Sequence, residues 1–228
     1  MHLLLLALFV ILLAWAPQWW ARTTFQRYSK PLDRIPGTGG ELARHLLDRF
    51  ELNHVKVEQT ESGDHYDPSS ETVRLSPDNF NNRSLTAVAV AAHEVGHAIQ
   101  HARNEPRFHL RTRLVQISQS AQQIGAIAMF AVPLIMAVTH RPQAGLLLVL
   151  LGLISMGSAT LVHLVTLPVE LDASFGKALP ILRRGNYVDS NDEHAVQRIL
   201  KAAAYTYVAA SLASLLNIGR WIAMLRRS

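Results

Sequence analysis

The chain has 228 residues, 49% of them hydrophobic, and carries 22 Lys and Arg against 17 Asp and Glu for a formal charge of +5. That length allows one substantial domain or a smaller domain with membrane helices, and the hydrophobic share favours the second. The absence of cysteine excludes disulfides and thiolate metal ligands, and the basic residues are spread over loops beside apolar segments and are not grouped with aromatics on a groove-like face, so nucleic acid is not an expected partner.

The chain opens with an almost unbroken apolar run from Leu3 to Ala16 that reaches Trp19 and Trp20, enough for about 30 Å of helix. No basic residue precedes it, and Arg22, Arg27, Lys30 and Arg34 follow, so residues 1–21 read as a transmembrane signal anchor. Thr38-Gly39-Gly40-Glu41 is a capping box that starts a short helix with Leu42, Leu46, Leu47 and Phe50 at helical spacing. Val55-Lys56-Val57 and Thr72-Val73-Arg74-Leu75 read as two short antiparallel strands, with Gly63, Asp64, Asp67, Pro68, Ser69 and Ser70 as turn formers between them. Ser84 caps a helix from about Leu85 to Arg103, with Leu85, Val88, Val95 and Ile99 on its apolar face.

Apolar stretches at about Ile117 to Val138 and Ala144 to Val169, separated by Thr139-His140-Arg141-Pro142-Gln143, read as a transmembrane hairpin over residues 117–169. Ser190-Asn191-Asp192-Glu193 repeats the capping-box pattern before the final helix, and residues 202–228 read as a fourth membrane helix and tail. Lys and Arg test this topology: residues 21–116 hold 13 of the 22 and residues 168–201 hold five, while the hairpin loop holds Arg141 alone. Cytoplasmic loops collect such charge, which places a catalytic portion (22–116) and a second segment (170–201) together on the cytoplasmic side. Arg226 and Arg227 go against a spanning last helix. The expected fold is mainly α with a small α+β portion: a multi-span helical membrane protein carrying a zincin-like HExxH helix and a short β-hairpin.

His93-Glu94-Val95-Gly96-His97 lies on a segment read independently as helical. Histidines four apart project from one helical face and can bind one Zn²⁺ through imidazole nitrogen, and Glu94 beside them can take a proton from a water that the metal activates. Ala91, Ala92, Gly96 and Ala98 leave room for another helix to come close. A catalytic zinc takes a third protein ligand. Glu170 is the candidate, because it leaves the third predicted span on the same side as the motif and an acid at a span's end is costly unless it faces water, metal or a partner. His101 would close the site to water as a fourth ligand and reads as a surface or supporting residue. His163 falls inside a predicted span, and Tyr66 or His65 could donate to a tetrahedral oxyanion.

Gly37-Thr38-Gly39, Asp64-His65-Tyr66-Asp67-Pro68, Ala92-His93-Glu94-Val95-Gly96-His97-Ala98-Ile99-Gln100 and Thr166-Leu167-Pro168-Val169-Glu170-Leu171-Asp172-Ala173-Ser174 resemble the YugP-like neutral zinc metallopeptidases of bacterial membranes over nearly the whole chain. More distantly, Glu170 to Ser174 is similar to the Glu-x-x-Ala-Asp segment of M48-type gluzincins, which implies Glu170 as third zinc ligand. Ser174 stands where those proteins have Asp, leaving Asp172 as the nearest carboxylate to support the site. The resemblance also implies that the strand at Val73 to Ser76 is an edge that pairs with extended substrate. The expected protein is a Zn²⁺-dependent peptidase, of endopeptidase type, in the bacterial inner membrane, multi-pass, with its site on the cytoplasmic side, the lipid bilayer around it and a peptide or membrane protein as substrate. The alternatives are a metal-dependent hydrolase of a non-peptide bond and a non-catalytic metal-binding scaffold. Oligomeric state is not legible.

Overall fold

A computed structural model describes residues 16–139, 162 and 164–206. The chain divides into two compact units, one formed by Pro17–His109 with Leu167–Thr206 and the other by Met1–Ala16, Leu110–Thr166 and Tyr207–Ser228. The first holds every residue of the candidate site described below.

Its elements follow from local sequence. The described residues begin within helix α1, which runs to residue 27. Helix α2 (Gly39–Arg49) starts on the expected capping box: Glu41 N–H donates to Thr38 Oγ1 and Thr38 N–H donates to Glu41 Oε2. Three strands follow, β1 (Lys56–Gln59), β2 (His65–Asp67) and β3 (Thr72–Leu75), then a short helix α3 (Pro77–Asn81). Helix α4 (Leu85–Ala102) is capped by Ser84, whose side chain accepts from Ala87 N–H. Leu85 to Gln100 are all buried, so α4 is covered on every side and not only along one stripe, as befits a core helix. Helix α5 (Pro106–Thr139) comes next. Helix α6 (residues 164–171) passes into a π-helical segment, Asp172–Ala178, and then α7 (Leu179–Arg184) and α8 (residues 193–206).

The sheet differs from the expected pair of antiparallel strands. Its order is β1-β3-β2, with β1 parallel to β3 and β2 antiparallel to it. The reason is the three-residue strand β2, which comes between the two longer ones in the chain, lies on the far side of β3 from β1 and makes the hairpin with β3. Asp67 builds that turn, accepting from Ser69 N–H and Ser70 Oγ, and also binds Arg74. Because β3 is paired on both sides, it has no free edge; the edges are β1 and β2. Lys56 N–H bonds Glu71 O and Thr60 N–H bonds Leu75 O, so the odd-numbered β3 residues face β1. Thr72 and Arg74 face β2, opposite Asp67 and His65, and the main-chain N–H and C=O of Tyr66 point to the open edge.

A second local expectation also changes. The final helix starts after Asp192, whose carbonyl accepts from Val196 N–H, and Ser190 to Glu193 do not act as a capping box. Both carboxylates are engaged elsewhere: Arg34 grips Asp192 with two nitrogens, at 2.7 and 3.1 Å from Oδ2, and Glu193 accepts from Arg183 and Gln197.

The multi-span architecture and the multi-pass inner-membrane localisation are corrected here: among the described residues, no helix is long and apolar enough to cross a membrane. The described part of α1 carries Arg22 and Arg27. Helix α5 has the length, at 34 residues, but its first half carries Arg107, Arg111 and Arg113 and its middle Gln116, Ser118, Ser120, Gln122 and Gln123. The other expected spans, at residues 3–20, 144–169 and 202–225, lie wholly or mostly outside the described residues.

Candidate metal centre

Helix α4 presents His93 and His97 one turn apart on one face, their rings 4.7 Å apart and nearly perpendicular. The chain returns beside them at the end of α6, where Glu170 is fully buried, while His93 is 6% and His97 3% exposed. Glu170 Oε2 lies 3.1 Å from His93 Nε2 and 3.3 Å from His97 Nε2. Among the described residues these three form a group able to hold a metal ion, their ligand atoms all within 4.8 Å of one another. The approach depends on Gly96: a Cβ there would lie 2.9 Å from the carbonyl oxygen of Ala173, so the expected close helix contact is made against the π-helical segment.

The far sides of both imidazoles are also occupied. Gln100, 1% exposed, donates from Nε2 to Val169 O (3.0 Å) and to Asp172 Oδ2 (2.8 Å). A main-chain carbonyl and a carboxylate can only accept, so the amide NH₂ must face them and Oε1 must face His97 Nδ1, 2.9 Å away. Nδ1 is therefore the donor. In a neutral imidazole this leaves a lone pair on Nε2, aimed at Glu170. On His93 the same role falls to Ser174, whose hydroxyl lies 3.0 Å from Nδ1 and donates to Leu200 O at 3.4 Å. Ser174 thus occupies the supporting position that the sequence comparison assigns to Asp.

Two nitrogen lone pairs and a carboxylate oxygen converge in a buried space. Such a set repels itself unless a cation lies between its members. With no cation between them, the imidazoles can take that part themselves by protonation: burial alone would raise the Glu170 pKa, but positive charge on His97 and hydrogen bonds from protonated His93 and His97 then hold it well below the ordinary carboxyl value. Two atoms each about 2.0–2.1 Å from a tetrahedral Zn²⁺ lie about 3.3 Å apart, close to the two distances measured. Donor types, spacing and burial all fit zinc.

The remaining predicted residues are placed as follows. Glu94 is on α4 beside the first histidine and is 7% exposed. Asp172 supports the site through Gln100 and pairs with Lys177, which also pairs with Glu105. Tyr66 is buried, and its hydroxyl is 2.8 Å from His101 Nδ1; burial, with Glu71 and Asp67 adding to it, raises its pKa far above the ordinary tyrosine value. His65 Nδ1 bonds Gly63 O. His163 lies outside the described residues. Gln100 and Lys177 were not foreseen. The legible signal for Gln100 was a polar residue three positions after His97, on the ligand-bearing side of a helix that is apolar elsewhere. Next to Val169 a cavity of about 350 Å³ is lined by Gln100, Pro106, Phe108, Pro168 and Val169 together with the charged Glu105, Arg107 and Asp172.

Residues 3–226 match the family described as "Putative neutral zinc metallopeptidase". The chain is 35% identical over 224 residues to a protein of Bacillus subtilis (strain 168) named "Putative membrane protease YugP", a match covering 96% of each chain. No solved structure matches. A match spanning nearly all residues, with His93, His97 and Glu170 gathered inside it, makes this chain a member of that zinc metallopeptidase family.

Proposed function

We propose that this protein hydrolyses peptide bonds with a Zn²⁺ held by His93, His97 and Glu170, and with Glu94 as general base. The observation that carries the reading is the fixed direction of the ligand set: with both Nδ1 atoms committed to Gln100 and Ser174, both Nε2 lone pairs face one buried carboxylate. Held by these three residues, zinc would supply a Lewis acid able to acidify a water and polarise the scissile carbonyl. Glu94 takes the proton from that water and delivers it to the leaving amine. Tyr66, whose raised pKa keeps its hydroxyl protonated, and His65 are the candidate donors to the developing oxyanion, and either would have to leave its present partner, His101 Nδ1 for Tyr66 and Gly63 O for His65. An extended substrate pairs through its main chain with the open edge of β2, where Tyr66 presents N–H and C=O, and one of its side chains enters the cavity beside Val169.

The test is a mixed peptide library incubated with zinc-loaded protein, then with a chelator present, and again with Glu94→Gln. Cleavage that needs metal and is lost in Glu94→Gln while the metal stays bound supports the mechanism. Undiminished proteolysis by Glu94→Gln removes the general base from it. Metal binding without peptide cleavage turns the reading toward a non-peptide hydrolase or a scaffold.

A further inference from the structure

A second cavity, of about 290 Å³, opens where α2, α4 and α7 end beside the π-helical segment. Its walls carry four cationic side chains, Arg49, Arg103, Lys177 and Arg184, over an apolar floor that includes Phe50 and Ile99, and no carboxylate lines it. Among the described residues Arg49 donates to the hydroxyl of Tyr187, and none of Arg49, Arg103 and Arg184 forms an ion pair. Each arginine sits at a helix C-terminus, where a cation complements the carbonyl ends. That accounts for one arginine at a time. It does not account for three C-termini meeting around one acid-free concavity with an apolar base.

Lys177 is the wall between this cavity and the metal centre. It is 12% exposed, lies 2.6 Å from Asp172 and 2.9 Å from Glu105, and lines the cationic side, whereas Asp172 and Glu105 line the cavity beside Gln100. From Asp172 the connection runs to Gln100 Nε2 and from Gln100 Oε1 to His97 Nδ1. We propose that the cationic cavity binds a phosphate-class oxyanion, and that its occupancy strengthens the hold of His97 on its metal. Guanidinium forks match the paired oxygens of such an anion. An anion beside Lys177 offsets the charge that Asp172 now faces, so Asp172 accepts more strongly from Gln100. Gln100 in turn accepts more strongly from His97, and the more electron-rich imidazole binds metal more tightly. The coupling rests on reading His93, His97 and Glu170 as a metal centre; the binding of the anion does not.

The anion can be free phosphate or the phosphate of an organic ester, and the apolar floor favours the ester. Titration calorimetry on the full-length, metal-free protein compares inorganic phosphate with phenyl phosphate. Both are expected to saturate one site, phenyl phosphate with about tenfold higher affinity, and Arg103→Gln with Arg184→Gln is expected to weaken either ligand by about tenfold or more. Equal affinity assigns the site to free phosphate. No saturable binding, or binding unchanged in the double variant, overturns the site. In zinc-buffered solution, saturating phenyl phosphate is expected to raise zinc affinity by about threefold. In Asp172→Ala the anion still binds, which also reports that the variant is folded, but zinc affinity no longer responds. An unchanged zinc affinity in wild type at full occupancy overturns the coupling; failure of zinc to bind at all would instead count against the metal centre, with the anion arm still decided by its own titration.

Discussion

The closeness of α4 to the π-helical segment can be tested at one atom. In Gly96→Ala the new Cβ would lie 2.9 Å from Ala173 O and 3.4 Å from Ala173 C and Cα. These are main-chain atoms of the segment that carries Ser174 and directly follows Glu170, so no side chain can swing aside. Ordinary contact needs the backbones to part by about 0.5 Å, and insertions of this kind into a packed core cost about 1–3 kcal/mol. At about 2–4 °C per kcal/mol for a domain of this size, a cost near the middle of that range lowers Tm by about 4–8 °C. The same displacement moves Glu170 and Ser174 away from His93, so zinc affinity should fall by about tenfold or more, as when a supporting contact is lost. Thermal melts of the metal-free protein measure the first effect and competition against a chromophoric chelator the second. A Gly96→Ala variant with wild-type Tm and zinc affinity would refute the claim that this glycine sets the spacing of the site. A lowered Tm with unchanged zinc affinity would refute the link from packing to ligand geometry.

Other substitutions probe the supporting contacts. Gln100→Leu leaves Val169 O and His97 Nδ1 without their partner and should destabilise the fold by about 2–4 kcal/mol, seen in denaturant titration. Gln100→Glu should be worse despite its equal size at neutral pH, because it sets a carboxylate against two acceptors; if it matches wild type in zinc affinity, the amide orientation deduced here is wrong. Ser174→Ala should keep the fold and lose about tenfold in zinc affinity, read by the same chelator competition. Asp67 has its pKa depressed by hydrogen bonds from Ser70 and Arg74, so its stabilisation of the β2–β3 hairpin is present above its unfolded value of about 4 and disappears as pH falls through the lower folded value. The stability difference between wild type and Asp67→Asn should therefore be constant near neutrality and shrink in strong acid; a difference that grows on acidification contradicts that assignment.

The ligand pair was legible because its signal is local: four-residue spacing on a helix, a Ser84 cap and small residues where a neighbour must approach all sit within one segment. Glu170 was legible only through topology and resemblance, since 72 residues separate it from His97. The sheet was misread for a reason of length. Three residues, His65 to Asp67, are too few to show alternation, and overlooking them turns a parallel pair into an apparent hairpin. The membrane reading fails at the stretch from Ile117 to Val138, where Gln116, Ser118, Ser120, Gln122 and Gln123 interrupt the start of the apolar run. Lys177 carries no sequence signature of its own, and Gln100 only its place three residues after His97; their roles arise from distant partners, 69 and 72 residues on for Gln100 and, in Glu105, 72 residues back for Lys177.

The π-helical segment explains how so short a stretch serves three neighbours. Glu170 and Ser174, four residues apart, both turn toward His93, one to each ring nitrogen. Beyond them the turn widens: Leu179 N–H bonds Ser174 O, five residues back, and Asp172 pairs with Lys177 at the same interval. The wider turn lays the Asp172 carboxylate over Gly176, where any Cβ would fall 2.1 Å from Oδ1, and so frees its other oxygen for Gln100 and Lys177. A regular helix with a side chain at position 176 would push that carboxylate off the path to His97. π-turns recur at functional sites, and here the physical reason is visible: one extra residue per turn lets Glu170 face the metal position while Asp172 supports the other histidine from behind.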